Sequence, residues 1–257
     1  MWLLNIEETI SESKKIGKIC YIFGMRLHRF YIKTAIENDS FDISERGLIH
    51  QWRNVFRYNV GSQVILFDGS GFEYLCLITS LRNLGATVSV IEKKQNNQSF
   101  RRNVWLCLGV IKKDNFELAL AKATELGINH ITPVLFERSL KKNLNEERLQ
   151  KIITESSEQS GQFFTPELHK METLESLFKS GFLPQYKIAI DPEGVPFHQY
   201  VVGNKFPNIA VFVGSEGGFT KKEIEFFRSY NVPILSLGTQ ILRAETATIA
   251  VSSLLLL

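Results

Sequence analysis

Three short segments of this chain carry residues able to do chemistry. LGTQILRAETA, Leu237 to Ala247, sets Arg243 and Glu245 at the head of an otherwise apolar stretch ending in AVSSLLLL. A charge that close to a buried segment must be paired, or must face a cavity where charge is used. Glu245 would suit the first turn of a helix, where the dipole favours a carboxylate, whereas Arg243 gains nothing from that position. On sequence grounds an Arg243–Glu216 or Arg243–Glu245 ion pair of purely structural kind is the alternative. VFVGSEGGFT, Val211 to Thr220, runs from an apolar strand through Gly214-Ser215-Glu216-Gly217-Gly218 into a helix start. Its glycines allow a ligand to approach the backbone. The spacing matches neither GxGxxG nor GxxxxGK[ST], which argues against dinucleotide and P-loop nucleotide binding. ESSEQSGQFFTPEL, Glu155 to Leu168, closes a helix with small polar residues, suited to close packing on another helix or on RNA, or simply to a solvated terminus.

The elements that position these segments fall into two textures. From Met25 to about Glu92 the apolar residues form short runs (RFYI, QVILFDG, EYLCLITSL, ATVSVIEK) rich in Val, Ile, Phe and Tyr, the pattern of strands. Asp68-Gly69-Ser70-Gly71 supplies a hairpin turn. LIHQWRNVFRY, Leu48 to Tyr58, has helical spacing that puts Arg53 and Arg57 on one face. Short strands with a single helix suggest a small β-barrel. KKQNNQSFRR, Lys93 to Arg102, is a polar break. Beyond it VWLCLGVI reads as a strand buried on both faces. DNFELALAKATELG reads as a helix with Asp114 at its N-cap, Phe116, Leu120, Ala123 and Leu126 on its inner stripe and Gly127 at its end. HITPVLFE, KIAID, NIAVFVG and PILSL continue as strands. NEERLQKIITESSEQSG and TKKEIEFFRSYNV intervene as helices, the latter opening on a Thr220–Glu223 capping box. Alternating strands and helices predict a parallel α/β sheet. The expected division is residues 1–24 as an N-terminal extension, 25–96 as the barrel and 97–257 as the α/β domain.

Composition narrows the function classes. The 257 residues are 44% hydrophobic, enough for one large domain or two smaller ones, and carry a net charge of +3. The excess lies early: Met25 to Asn103 holds 11 Lys/Arg against 7 Asp/Glu. Such a bias suits a polyanionic partner. Cys20, Cys76 and Cys107 are sparse and lack ligand spacing, as in a reduced cytoplasmic protein. His28, His50, His130, His169 and His198 form no HxxH or HxxxH pair, so no metal is expected. Glu7, Glu8 and Glu12 break what would be the core of a signal peptide, and no apolar run of about eighteen residues exists to span a membrane. Residues 1–24 read as an amphipathic extension or as an upstream start, since MRLHRFYI from Met25 has the form of a chain beginning.

Taken together, MRLHRFYI, QVILFDG, LGVIKKDNFELALAKATELGI, ITPVLFERS, EQSG, VGSEGGFT and LGTQILRAETA resemble the RsmE-type 16S ribosomal RNA uridine-N3 methyltransferases of the SPOUT superfamily. The match runs over Met25 to Leu257, and the pairing of GxEGG with LGxxILRAETA is its most specific part. The resemblance implies a PUA-like β-barrel followed by a SPOUT domain with a trefoil knot, a homodimer, and S-adenosylmethionine bound in the knot. Carried over by motif, the cofactor-binding residues are Ile190, Val213, Gly214, Gly218, Leu237, Gly238, Ile241, Leu242, Arg243, Thr246 and Ala247. The implied reaction methylates N3 of a uridine in the decoding region of the small ribosomal subunit, with Arg243 as the stabilising cation and Glu216 or Glu245 as base or positioning group. Arg26, Arg29, Arg53 and Arg57 would dock the RNA. Two departures stand out: Gln162 replaces an arginine common after the EQSG loop, and Asp191-Pro192-Glu193-Gly194 differs from the usual sequence before the knot. Other readings are a SPOUT enzyme acting on a ribose 2′-oxygen or another base, a non-catalytic ribosome-binding module, and, more distantly, a Rossmann-type oxidoreductase.

Overall fold

The structure is a computed structural model that describes residues 27–95, 102–140, 144–201 and 206–257. The expected extension over residues 1–24, Arg26, and the centre of the polar break lie outside the described residues. The chain divides into two compact units, 1–97 and 98–257.

In the first unit, strands β1 (Arg29–Tyr31), β2 (Ser40–Ile43), β3 (Gln63–Phe67), β4 (Phe72–Leu81) and β5 (Ala86–Gln95) form one sheet in the order β1-β3-β4-β5-β2. β1 runs parallel to β3, and the other pairs are antiparallel. The Asp68–Gly71 turn joins β3 to β4 as the sequence predicts. Its Asp68 carboxylate accepts the backbone N–H groups of Ser70 at 3.0 Å and Ile36 at 2.8 Å.

The expected closed barrel is not found. β1 and β2 are the two sheet edges and do not pair with each other, so among the described residues the sheet is open. Closure needs a continuous hydrogen-bonded seam of tilted strands, and these edge strands offer only three and four residues. The predicted helix over Leu48 to Tyr58 is also shorter than expected. Helix α1 (Arg46–His50) passes into a π turn, Gln51–Val55, which places Trp52 in the core at 0% exposure against Phe30. The chain then leaves the helix, and Arg57 takes a left-handed backbone, φ 54°. Arg53 and Arg57 therefore do not share a helix face.

The second unit is a parallel sheet covered by helices on both faces. Its strands are β6 (Asn103–Gly109), β7 (His130–Leu135), β8 (Glu167–Leu168), β9 (Glu172–Thr173), β10 (Tyr186–Pro196), β11 (Asn208–Val213) and β12 (Ile234–Ser236). The order is β12-β10-β11-β6-β7-β8, with β9 also on β7, and every pairing is parallel. Its main helices are α2 (Lys113–Leu126), α3 (Glu146–Ser160), α4 (Leu174–Lys179), α5 (Phe197–Val201), α6 (Lys221–Ser229) and α7 (Ala244–Leu256).

Strand periodicity builds two cores. Leu106, Leu108, Val211 and Val213 face Phe116, Leu120, Ile153 and Val251 of α2, α3 and α7. The alternate residues Cys107, Ala210 and Phe212 face Leu177 of α4 and Phe227 of α6. This is why the strands read as unbroken apolar runs. Helix ends follow the sequence signals with one exception. Asn145 caps α3, accepting the Arg148 N–H at 3.0 Å, and Thr220 and Glu223 form the expected capping box on α6. The N-cap of α2 is Lys112 rather than Asp114, which sits in the first turn. Gln162, the departure after EQSG, is 5% exposed, and its Nε2 donates to the Glu125 carbonyl at 3.1 Å, tying the end of α3 to α2.

Candidate active site

In an open parallel sheet, the loops leaving the carboxyl ends of the strands diverge and leave a crevice. Here the loops after β6, β11 and β12, together with a break within β10, enclose a cleft of about 410 Å³. β10 contributes because its pairing with β12 skips between Ile190 and Val195, so Asp191 and Pro192 bulge into the cleft wall. The departure noted at Asp191–Gly194 is thus a piece of the site. Gly194 is obligatory: a Cβ there would lie 2.6 Å from the Leu235 backbone.

The glycine loop after β11 is fixed from three sides. Ser215 donates its hydroxyl to the Arg138 carbonyl at 2.9 Å, and the Arg138 guanidinium returns a bond to the Gly217 carbonyl at 2.7 Å. Glu216 accepts the backbone N–H of Lys112 at 3.0 Å, so its carboxylate caps α2 and clips the two loops together. Beneath them Gly109, at the end of β6, is packed so closely that a Cβ would meet Ser215 N at 2.7 Å. Gly218 adopts φ 65° and has no atom within 4 Å of where its Cβ would stand, so the face it presents is open.

The segment after β12 forms the other wall. Gly238 has φ 144° and is framed by Ser236, whose hydroxyl donates to the Gly238 carbonyl at 2.8 Å. Ile241 borders the cleft and is 87% exposed. Arg243 occupies the N-cap position of α7, is exposed, and makes no ion pair or side-chain hydrogen bond among the described residues. Neither structural ion pair considered from sequence forms. Glu245, two residues on, is 7% exposed, and its Oε2 has no hydrogen-bond partner. A buried carboxylate oxygen without a donor is costly.

Of the residues singled out by sequence, Ile190, Val213, Gly214, Glu216, Gly218, Leu237, Gly238, Ile241, Leu242, Arg243, Glu245 and Ala247 all border this one cleft. Thr246 is exposed and does not line it. Sequence reasoning missed Lys112, Asn115, Asp191, Ser215, Ser236 and Gln240. Lys112 and Asn115 follow a buried strand, β6, at the same carboxyl end of the sheet, a signal usable only with the strand order in hand.

The basic residues of the first unit separate. Arg29 is committed to an ion pair with Glu73, which Lys94 also holds at 3.2 Å, and its side chain is only 12% exposed. Arg53 and Arg57 are exposed and border one surface hollow with Tyr58 and Asn59, Arg53 also bonding Asn83. The Tyr58 ring stacks on Phe56 at 12° and its phenol bonds His28 at 2.8 Å.

A family model for an RNA methyltransferase domain matches residues 98–256, and one for an RNA methyltransferase PUA domain matches 53–91. A relative from Rickettsia conorii, named ribosomal RNA small subunit methyltransferase E, is 32% identical over 228 residues, 88% of this chain and 93% of that protein. The chain belongs to the ribosomal RNA small subunit methyltransferase E family. A Bacillus subtilis protein of the same name is 28% identical over 77% of this chain and 83% of its own length. Among solved structures, a Legionella pneumophila methyltransferase in complex with S-adenosylmethionine superposes with a TM-score of 0.80 at 26% identity, covering 90% of this chain and 97% of that one. No described helix of this family member is long and apolar enough to cross a membrane.

Proposed function

We propose that this chain methylates N3 of a uridine in 16S ribosomal RNA of the small subunit, in its decoding region, using S-adenosylmethionine held in the cleft between the 214–218 and 237–247 segments. The observation that carries this reading is the pairing, at one cleft, of an exposed unpartnered Arg243 with a buried Glu245 oxygen that lacks a donor. The names of the relatives support the substrate class, and the Legionella complex supports the cofactor. The cleft fits that cofactor chemically: glycines leave backbone open to it, and the exposed Ile241 offers an apolar surface to a flat base.

Ile190, Val213, Gly214, Gly218, Leu237, Gly238, Ile241, Leu242 and Ala247 would hold the cofactor, with Thr246 beside them on α7. When bound, S-adenosylmethionine supplies a sulfonium-activated methyl group. Uridine N3 carries a proton at neutral pH, so negative charge grows on the uracil ring as that nitrogen reacts. Arg243 stabilises the charge at the carbonyl oxygens. Glu245 accepts the N3 proton, having no competing donor. Glu216 is a positioning residue, because its carboxylate is already engaged by the Lys112 N–H.

The placement of β12 beside β10, which brings the segments following both into one cleft, supports the trefoil knot implied by the resemblance. Homodimer formation is supported by exposed apolar residues on the packed helices α2 and α7, Leu118 at 45% and Leu254 at 53%. Residues 25–96 are assigned to RNA docking through Arg53 and Arg57, residues 97–257 to catalysis, and the place of work to the ribosome-containing cytoplasm.

The test is incubation of the full chain with unmethylated small subunits and S-adenosylmethionine, followed by mass-spectrometric mapping of nucleosides. 3-Methyluridine at one 16S position is expected, and a methyl group on a ribose oxygen or another base would overturn the N3 assignment. Arg243→Ala should retain cofactor affinity and lose about 10²–10³ in rate. Full activity of that variant would remove Arg243 from the chemistry.

A further inference from the structure

At the amino end of the same parallel sheet, away from the cleft, three potential metal ligands converge. His130 opens β7 and is the register partner of Glu167, which opens β8. His169 follows β8 and donates its backbone N–H to the Ile131 carbonyl at 2.8 Å, continuing the ladder. Because strand side chains repeat every two residues, Glu167 and His169 share one side of the sheet. His130 Nδ1 lies 3.2 Å from His169 Nε2 and 3.4 Å from Glu167 Oε2, and all three groups place a donor atom within 4.8 Å of the others.

Zinc bonds of about 2.0–2.1 Å in a tetrahedron put neighbouring ligand atoms roughly 3.3 Å apart. The first two separations already meet that spacing. The rings are held by an aromatic shell: Trp105 stacks on His130 with centroids 3.9 Å apart at 12°, and Phe182 packs edge-on against His169 at 4.5 Å. Such a shell restricts the movement of the rings and limits solvent access to them. Glu167 faces solvent with its side chain 65% exposed, leaving an approach and a position for water.

We propose that His130, His169 and Glu167 bind a divalent transition-metal ion of the zinc type, with the fourth position left to water. The ion would clasp the two-residue strand β8, and with it the connection from α3 to α4, to its neighbour β7. Its role is structural, since the cleft lies at the opposite ends of the strands. This departs from the expectation drawn from histidine spacing: the two ligands are separated by 39 positions and meet only through strand pairing.

The test uses the untagged full chain, freed of metal by chelator and titrated with zinc chloride by calorimetry and with cobalt chloride by visible absorption. One equivalent should bind with a micromolar or tighter Kd, and cobalt should give the intense bands of tetrahedral coordination. Zinc at about 100 times Kd should raise the melting temperature by about 5–10 °C. His169→Gln should weaken binding at least tenfold, as should Glu167→Gln, whose exposed side chain leaves folding intact, while His28→Gln should change nothing. Absence of saturable binding at micromolar zinc, or one equivalent that survives both His169→Gln and Glu167→Gln, would overturn the proposal and leave a histidine–histidine hydrogen bond in its place.

Discussion

Replacing Gly109 by alanine tests how rigidly the cleft is built. A Cβ at this position would stand 2.7 Å from Ser215 N, 2.9 Å from the Gly214 carbonyl carbon and 3.0 Å from a Phe136 ring carbon. Comfortable contacts begin at about 3.5 Å, so the glycine loop must retreat by about 0.8 Å. The loop cannot do so freely, because the Ser215–Arg138, Arg138–Gly217 and Glu216–Lys112 hydrogen bonds hold it. Either those bonds stretch, each worth about 1 kcal/mol net, or the crowding stays, at about 1–3 kcal/mol. The shift also exceeds the roughly 0.5 Å tolerance of a preorganised site. G109A is therefore expected to lower the melting temperature by about 2–10 °C and to raise the Kd for S-adenosylmethionine about tenfold or more. Scanning fluorimetry reads the first and calorimetry the second. Gly47→Ala is the control, since nothing lies within 4 Å of an added Cβ there. If G109A melts and binds the cofactor as the wild type does, the loop is not the rigid wall described above.

Four further outcomes are expected. Glu245→Gln should lose about 10²–10⁴ in methylation rate with cofactor affinity kept, whereas Glu216→Ala should cost about 1 kcal/mol of stability by freeing the Lys112 N–H. Single-turnover kinetics and denaturant melts distinguish the two roles. His130 and His169 have folded pKa values below the unfolded value of 6.5, so the unfolded chain binds more protons in acid. Their contribution is intact above pH 6.5 and is lost as pH falls through the depressed folded values, and His169→Gln should flatten that slope in melts from pH 7.5 to 5. Burial raises the Cys76 thiol to about 12 and pushes Cys107 higher still, so thiol reagents followed by peptide mapping should label neither before unfolding. Reversing Arg53 and Arg57 to glutamate should weaken binding to small-subunit RNA and reduce its salt dependence by about one to two phosphate contacts, and an unchanged salt slope would place docking elsewhere.

The sequence by itself determined what local physics controls. Continuous apolar runs specified strands buried on both faces, the alternation of strand and helix specified a parallel sheet, and Asp68–Gly71 and the Thr220–Glu223 pair marked their turn and cap. The cluster of GSEGG and ILRAETA also identified the chemistry-bearing segments, through the resemblance those paired motifs carry.

Closure and convergence depended on the tertiary structure. Whether five short strands seal into a barrel depends on pairing between edges far apart in sequence, and here the edges stay open. The sheet order decided that Asp191, Lys112 and Glu245 meet at one cleft, that Glu216 is already spent on a backbone amide, and that Arg29 is consumed by Glu73. The same order joins His130 to His169, which no spacing rule could have connected. Local propensity acts over a few residues, whereas a site is made by contacts whose partners are chosen only when the strands find their neighbours.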